Sequence, residues 1–305
     1  MPSLGAHAVR MMIRVMHALP VARKLGGPGM VYKYRRVLGR GSLLFGRLPR
    51  GVTRLTVNDV DAGIRGEWIL SDSSANARAV VYYLHGGGFV AGSPATYRTL
   101  TGAFCRRCNV RVFALDYRLA PEHRFPAAVD DAIAGYRWLL AQKVPAGDIV
   151  FAGDSAGGGL ALSALVALRD AGDPLPAGAV LIAPWVDLTT IAVRRSDTGA
   201  AAPLRGSQRA AREYVGDRPL DHPLASGINA DLSGLPPVMI QASNGEMLRD
   251  DAVRLDAKAR GAGVESNLRL WDGVPHVWHI FAGLRESREA FGDISAFISS
   301  VLRKE

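Results

Sequence analysis

A short apolar run leads directly into a helical pattern at residues 149–171, with G-x-S-x-G at the junction. Ile149–Ala152 predicts a buried strand, and Gly153-Asp154-Ser155-Ala156-Gly157 opens a helix expected over Ser155–Ala171. Only small residues clear the neighbouring backbone at so tight a turn, so Ser155 should project from the end of a sheet in a strained conformation. The helix would direct free N–H groups toward the same place. This segment predicts a serine nucleophile on an α/β fold.

From residue 52 onward, short β-rich runs alternate with longer helical patterns, which is typical of an α/β fold around a mostly parallel sheet flanked by helices. Eight strands are predicted: Val52–Val60, Ile64–Leu70, Ala79–Leu84, Val110–Leu115, Ile149–Ala152, Ala179–Ile182, Val238–Ala242 and Ser266–Trp271. Helices are expected near Ala95–Arg107, Ala127–Gln142, Ser155–Ala171, Leu248–Ala262 and Val277–Leu302.

Two segments do not fit this alternation. One is the N-terminal segment of residues 1–48, and the other is 188–237, which is rich in Ala, Arg, Gly and Pro. A connection of that length rarely lacks structure of its own in an α/β unit. We therefore expect these segments to form a helical cap, with residues 49–187 and 238–305 forming the core.

The net charge of +9 comes from the N-terminal part of the chain. Residues 1–54 contain eleven Lys or Arg and no Asp or Glu, whereas the remainder has 26 basic and 28 acidic residues. Val9, Met12, Ile13 and Met16 have the spacing of an amphipathic helix, which either packs on the protein or makes weak contact with anionic lipid. Packing is the commoner outcome. No zinc-finger spacing or RNA-binding signature accompanies the charge, so nucleic-acid binding is not expected.

The sequence does not favour a membrane-spanning protein, a secreted protein or a protein with a redox or zinc site. The longest mostly apolar stretch, residues 157–168, is shorter than the roughly 20 residues of a membrane-spanning helix. Basic residues interrupt every candidate secretory signal, so we expect a cytoplasmic protein.

Cys105 and Cys108 are the only cysteines. They end a predicted helix, whereas a thioredoxin-like redox pair begins one, and a single pair supplies only half of the ligands of a zinc site. No metal or organic cofactor is expected.

Three successive glycines follow the predicted strand Ala79–Leu84, in His85-Gly86-Gly87-Gly88-Phe89. Their exposed N–H groups, with that of Ala156, can hydrogen-bond an oxyanion. A phosphate-binding loop would need the Lys and Ser/Thr that open a helix, and they do not follow. The pattern favours an oxyanion hole.

An activated serine needs a base and a group that orients it, in the chain order serine, acid, histidine. His276 follows the last predicted strand and a turn, and His279 is its rival. Glu246 follows the strand Val238–Ala242 directly. Asp250 and Asp251 compete with Glu246, but they should already lie on the next helix, where charged residues usually face solvent.

The chain resembles the bacterial hormone-sensitive-lipase family of α/β-hydrolase carboxylesterases, over about residues 50–305. The resemblance rests on three motifs: His85-Gly86-Gly87-Gly88-Phe89, Asp116-Tyr117-Arg118-Leu119-Ala120-Pro121-Glu122-His123-Arg124-Phe125-Pro126-Ala127-Ala128 and Gly153-Asp154-Ser155-Ala156-Gly157-Gly158. It implies a helical cap, Ser155 as nucleophile and an oxyanion hole from Gly87, Gly88 and Ala156. His85, Gly86 and Asp154 would support these groups.

Two positions depart from the family pattern. Glu246 stands where the family usually has Asp, and Val277 and Trp278 follow His276 where Gly and Phe are usual. We also expect Arg118 and Glu122 to form an ion pair or turn-fixing network near the site.

These patterns predict hydrolysis of short- to medium-chain acyl esters by Ser155, His276 and Glu246, with an apolar acyl pocket under the cap. Relatives often dimerise through the sheet's edge strand near the C-terminus, so a homodimer is also an expectation. Two alternatives stay open. One is a binding protein that keeps the pocket without chemistry, as in the related plant hormone receptors, and the other is a lipase-like enzyme working at a membrane surface.

Overall fold

Eight strands form one sheet in the computed structural model, which describes residues 2–18, 29, 31–36, 39, 46–190 and 202–302. The strands are β1 (Val52–Asp59), β2 (Ile64–Ser71), β3 (Val80–Leu84), β4 (Arg111–Leu115), β5 (Ile149–Asp154), β6 (Gly178–Ile182), β7 (Val238–Ser243) and β8 (Ser266–Trp271). Their order across the sheet is β1-β2-β4-β3-β5-β6-β7-β8. Only the β1–β2 and β2–β4 pairings are antiparallel. The predicted eight-stranded, mostly parallel sheet is confirmed.

Helices cover both faces of the sheet. They are α1 (Leu4–Ala18), α2 (31–36), α3 (Arg98–Cys108), α4 (Ala127–Ala141), α5 (Ala156–Asp170), α6 (Ala202–Val215), α7 (Arg249–Gly261) and α8 (Arg285–Val301). Helices α4, α5 and α7 contribute to the apolar core on one face, and α3 and α8 to the core on the other. Strands β3, β5, β6 and β7 are consequently buried along their whole length, which explains why they read as continuous apolar runs.

The predicted start of the last helix, at Val277, is wrong. Val277 has left-handed backbone angles (φ 51°, ψ 45°), Trp278–Ile280 forms a single 3₁₀ turn, and α8 begins only at Arg285. Trp278 is fully buried in a small cluster with Ala6, Val274 and Ala290. Packing of this indole against other elements replaces a regular helix at residues 277–284.

Two predictions about side chains also need correction. Arg118 pairs with Asp131 on α4, at 2.7 Å, whereas Glu122 binds Arg35 on α2, at 2.6 Å. On α1 the buried side centres on Ala6, while Met12, which the spacing places on the apolar face, is 45% exposed and Val9 is half-buried. The remaining two predicted positions, Ile13 and Met16, have side chains outside the described residues.

The predicted cap is described in part. Its first segment contains α1 and α2, and its second contains α6 and a 3₁₀ turn at Gly227–Asn229. Residues 1, 19–28, 30, 37, 38, 40–45 and 191–201 of the predicted cap lie outside the described ranges, so its extent stays a prediction. Along the ranges described, no helix is long and apolar enough to cross a membrane.

Four loops meet at one edge of the sheet. The glycine loop follows β3, the serine turn follows β5, the Glu246 turn follows β7, and the His276 loop follows β8. Parallel neighbouring strands share their direction, so their carboxyl ends share an edge. This edge is where ligands of open α/β sheets bind.

Candidate active site

Ser155 occupies a strained turn between β5 and α5. Its backbone angles are φ 53° and ψ −121°, a region that residues with a side chain rarely enter. The Ser155 N–H donates to the Ile182 carbonyl at 2.8 Å, and its own carbonyl accepts the Trp185 N–H at 2.9 Å. A Cβ at Gly153 would clash with the Gly157 carbonyl, and one at Gly157 with the Leu84 carbonyl. The two glycines therefore permit the turn, and the hydrogen bonds hold it.

The glycine loop lies beside this turn. Gly87 (φ 119°) and Gly88 (φ 66°) have positive φ angles, and a Cβ at Gly87 would clash with the Ala91 carbonyl. Within the described ranges, the N–H groups of Gly87, Gly88 and Ala156 donate no hydrogen bond to the protein. Ala156 is the first residue of α5, where the positive end of the helix dipole adds to these donors. The three amides remain available to an anion.

Asp154 joins the glycine loop to the serine turn. Its buried carboxyl accepts the Gly86 N–H at 2.9 Å and the Tyr83 hydroxyl. Burial raises the pKa of Asp154 to about 6, although both hydrogen bonds favour the charged form. A Cβ at Gly86 would clash with this carboxyl group, so glycine is required there as well.

The buried side chain of His85 stabilises the glycine loop. Its ring stacks on Tyr117, with centroids 4.2 Å apart, and its Nδ1 donates to the Gly86 carbonyl at 2.8 Å. Burial lowers the pKa of His85 to about 4, so the imidazole is neutral near pH 7. The Tyr117 hydroxyl donates to the His85 carbonyl at 2.6 Å. The ring therefore has a packing and hydrogen-bonding environment rather than a proton-transfer partner.

Glu246 and His276 are joined by a hydrogen bond between Oε2 and Nδ1. The buried Glu246 carboxylate also accepts the Ser243 N–H, at 2.6 Å through Oε1, and the Ser243 hydroxyl donates to the Val274 carbonyl at 2.6 Å. The turn after β7 is thus tied to the histidine loop after β8. The His276 side chain keeps 37% of its surface exposed, whereas that of Glu246 keeps 2%.

Two carboxylates act on the His276 ring. Burial lowers the pKa of His276, but the charge and hydrogen bond of Glu246, with the charge of Asp154, raise it above the ordinary value overall. Asp154 immediately precedes Ser155, so the serine turn contributes a charge that acts on this ring. The structure therefore brings the carboxylate, the imidazole and the serine turn to one place.

His279 points to a different environment. It is fully buried, and its Nε2 donates to the Gln241 side-chain carbonyl at 2.7 Å. Burial, followed by the charge of His276, lowers the pKa of His279 to about 3. This neutral histidine is part of the packing under α8, and the structure does not place it against Glu246.

The two competing aspartates hold other groups. Asp250 forms an ion pair with Arg249 at 2.7 Å. Asp251 is buried and accepts the N–H groups of Val186 and Asp187, at 3.2 and 3.1 Å, and burial raises the pKa of Asp251 to about 7. It thereby holds the loop after β6, whose Trp185 N–H binds the Ser155 carbonyl.

Sequence reasoning missed this role of Asp251, although a signal exists. Leu248, Ala252, Leu255 and Ala259 form the buried stripe of α7, and Asp251 falls on that stripe rather than on the solvent side. A carboxylate on an apolar stripe needs hydrogen-bond donors, and here the β6 loop supplies them.

Residues 1–48 were expected to form part of a cap, but the contacts that hold α2 at the site were not predicted. Arg35 donates to the Val90 carbonyl at 2.7 Å and to the Ala120 carbonyl at 2.9 Å, which fixes α2 on the glycine loop. Burial and the charge of Asp154 raise the pKa of Tyr34 to about 12.

Apolar side chains surround the free amides. A methyl group at Gly88 would lie 3.4 Å from the Ala210 Cβ of α6 and 3.9 Å from the Trp185 ring. Phe89 stacks on Tyr214, with ring centroids 3.9 Å apart. Ala210 and Tyr214 of α6, with Phe89 and Trp185, therefore form an apolar and aromatic wall beside the amides of the glycine loop.

The cysteines and possible metal ligands lie elsewhere. Cys105 is buried next to Ser74, and burial raises the pKa of Cys108 to about 12, so this thiol stays protonated near pH 7. Across the described part of the chain, no three His, Cys, Asp or Glu residues are grouped to hold a metal ion.

Comparisons with known proteins identify relatives of this chain and of its fold. A family described as the alpha/beta hydrolase fold matches residues 81–280. The chain is 43% identical to an acetyl-hydrolase of Streptomyces hygroscopicus over 76% of this chain and 78% of that protein. It is similar to the crystal structure of EstE5 soaked with p-nitrophenyl butyrate, with TM-score 0.89, 36% identity, and coverage of 98% and 99%. An esterase from the bacterial hormone-sensitive lipase family gives TM-score 0.84 at 37% identity, with coverage of 99% and 100%.

Proposed function

Because this chain belongs to the bacterial hormone-sensitive-lipase family and is a carboxylic ester hydrolase of the α/β-hydrolase fold, we propose that it is a serine carboxylesterase with Ser155, His276 and Glu246 as its triad. The observation that carries this proposal is the hydrogen bond from His276 to the buried Glu246 beside the strained Ser155 turn. The same residue types, in the same chain order, perform acyl transfer in α/β-hydrolases.

In the first step, the Ser155 hydroxyl attacks the ester carbonyl carbon while His276 Nε2 takes the hydroxyl proton. Glu246 accepts the Nδ1–H of the ring, which holds the tautomer with Nε2 unprotonated and stabilises the imidazolium that forms. The raised pKa of His276 supports this role, because a base of higher pKa accepts the proton more readily.

The carbonyl oxygen becomes an oxyanion in this step. The N–H groups of Gly87, Gly88 and Ala156 are its proposed donors, and loss of one such donor typically costs about 3–4 kcal/mol of transition-state stabilisation. When the tetrahedral intermediate collapses, the C–O bond breaks and His276 returns its proton to the leaving alcohol. A water molecule then attacks the acyl-enzyme with the same base, which releases the acid and restores Ser155.

The proposed substrates are small-molecule esters with short- to medium-length acyl chains. The apolar wall of Phe89, Trp185, Ala210 and Tyr214 beside the oxyanion amides supports an apolar acyl group. The related EstE5 was soaked with a butyrate ester, and the Streptomyces relative is named an acetyl-hydrolase. Rates over p-nitrophenyl esters of graded acyl length would measure this preference.

Covalent labelling tests the nucleophile directly. A sulfonyl fluoride should add to Ser155 and stop turnover, and peptide mass spectrometry should find the adduct on the peptide that contains residue 155. Ser155→Ala and His276→Ala should each lose at least about a thousandfold in kcat, while the fold measured by circular dichroism stays unchanged. An adduct on another residue, or a Ser155→Ala variant that retains most turnover, would refute the triad.

The non-catalytic alternative makes a different prediction. A binding protein with this pocket would turn over no acyl ester of any length, although it would still bind substrate analogues. The cytoplasmic location and a homodimer stay predictions; size-exclusion chromatography with light scattering would test the dimer.

A further inference from the structure

Helix α1 packs through one side and leaves the other exposed. Ala6 is fully buried against Val274 and Trp278, and the Ser3 N–H donates to Glu286 at 2.6 Å. At 100° per residue, positions 4, 8 and 11 lie on the side opposite Ala6. Leu4 is 91% exposed and Met11 is 60% exposed. Over residues 4–12, whose side chains the structure describes, the outward side of α1 is therefore apolar, which is the reverse of the usual arrangement on a protein surface.

The rest of the N-terminal segment, residues 1–48, also exposes apolar side chains. Six large apolar side chains in the described ranges are exposed, and four of them lie within residues 1–48: Leu4, Met11, Met12 and Tyr32. Scattered apolar residues on a surface need no explanation, but a concentration in one segment does. Tyr32 is 62% exposed on α2, and an aromatic ring with a polar tip is suited to a boundary between water and lipid.

Charge accompanies these apolar groups. Residues 1–54 contain eleven Lys or Arg and no acidic residue, and Lys33, Arg36, Arg47 and Arg50 are exposed. An apolar surface with basic neighbours complements an anionic lipid interface, where acyl chains take the apolar groups and phosphates take the charges. A second copy of this chain would bring the same positive charge against itself, so charge disfavours self-association here.

The segment also lies at the edge of the sheet that contains the site. Helix α1 contacts the His276 loop through Ala6, and α2 is fixed on the glycine loop through Arg35. Both loops follow the carboxyl ends of strands. Helices α1 and α2 therefore both pack on loops at the edge of the sheet that contains the site, rather than at the opposite edge.

From these observations we propose that the exposed sides of α1 and α2, called here the N-terminal surface, bind the face of an anionic phospholipid bilayer. Leu4 and Met11 enter the boundary between headgroups and acyl chains, and Lys33 and Arg36 contact lipid phosphates. The helices lie on the bilayer without crossing it. This docking is a property separate from ester hydrolysis and does not require an active Ser155.

Vesicle flotation of the full-length protein tests the proposal. The vesicles contain phosphatidylcholine alone or phosphatidylcholine with phosphatidylglycerol, at low and at high salt. We expect binding to the anionic vesicles only, weakened as salt shortens the screening length. The double variant Leu4→Glu/Met11→Glu should bind about tenfold more weakly, because two apolar side chains no longer enter the lipid. Its turnover of a water-soluble ester should equal that of the wild type.

Val60→Glu is the matched control. Val60 is 78% exposed, but it lies in an acidic turn between Asp59 and Asp61, outside the N-terminal surface. This variant should bind vesicles like the wild type. Equal binding to neutral and anionic vesicles, no binding at all, or equal losses in both variants would overturn the proposal. So would a dimer that Leu4→Glu/Met11→Glu dissociates, because the surface would then be an interface between copies.

Discussion

Replacing Glu246 with Gln tests the triad most directly. The Glu246 carboxylate accepts two hydrogen bonds, from the Ser243 N–H and from His276 Nδ1, and both groups are donors. A carboxamide has one oxygen and one NH₂ group, so it accepts one of these bonds well and opposes the other donor with its own N–H. If the oxygen stays on Ser243, the imidazole must present an unprotonated Nδ1 to the amide. Its proton then moves to Nε2, which can no longer accept the Ser155 proton.

The expected loss follows from burial of the Glu246 carboxylate. Glu246 is almost fully buried, and truncation of one partner of a buried, hydrogen-bonded charge pair typically costs about 2–5 kcal/mol. At about 1.36 kcal/mol per factor of ten, kcat for Glu246→Gln should fall between about 30-fold and 5,000-fold. The acid limb of the profile of kcat/KM against pH should also move to lower pH, because the negative charge that raises the pKa of His276 is gone.

The assay is hydrolysis of a soluble p-nitrophenyl ester at a series of pH values, with Glu246→Asp and Asp250→Asn as controls. Glu246→Asp keeps the charge on a shorter arm and should retain more activity than Glu246→Gln. Asp250→Asn should change little, since Asp250 pairs with Arg249 rather than with the imidazole. The reasoning is refuted if Glu246→Gln keeps wild-type kcat, or if Asp250→Asn is the more damaged variant.

Three further changes probe the surroundings of the triad. His279→Ala should keep most of the kcat. It should lower the free energy of unfolding, measured with urea, by about 1–3 kcal/mol, because the Gln241 side-chain carbonyl loses its buried donor. A variant that is stable but inactive would instead indicate that His279 is the catalytic base. Gly87→Ala should reduce kcat strongly. Residue 87 has a φ of 119° and an added Cβ would clash with the Ala91 carbonyl, so the proposed oxyanion donors would be displaced. An unchanged rate would exclude the Gly87 amide from the proposed oxyanion hole. Burial raises the pKa of Asp251 in the folded protein to about 7, above the ordinary 3.8, so the free energy of unfolding should fall as pH rises between these two values. Asp251→Asn should remove that slope in unfolding measured against pH; a slope unchanged in the variant would exclude Asp251 as its source.

Local patterns were enough to predict the sheet and the position of the serine. Gly153 and Gly157 are required by backbone contacts within a few residues or with the adjacent strand, so the motif itself encodes the turn. Glu246 could be favoured over Asp250 because its place at the strand end follows from chain direction alone. The structure brings Glu246 and His276 together as that reasoning expected, while their catalytic roles stay predictions.

Side-chain contacts between elements distant in sequence could not be predicted from local patterns. Arg118 is four residues from Glu122 in sequence, yet it pairs with Asp131, because α4 returns across the start of that loop. Glu122 instead binds Arg35, a partner 87 residues away. Residues 277–284 are not a helix because Trp278 finds buried space against α1 and α8. Each of these outcomes depends on where another element lies, which a local pattern does not contain.

The carboxyl of Asp154 has a consequence for how such an enzyme can diversify. Asp154 immediately precedes Ser155, and its hydrogen bond with the Gly86 N–H joins the glycine loop to the serine turn, so the proposed nucleophile and the proposed oxyanion donors belong to one connected unit. In the described part of the chain, helix α6 contacts that unit through apolar side chains, such as those of Ala210 and Tyr214. Substitutions on α6 can therefore reshape the space for a substrate while the spacing between nucleophile and amides is preserved, so new specificities can arise without rebuilding the chemistry.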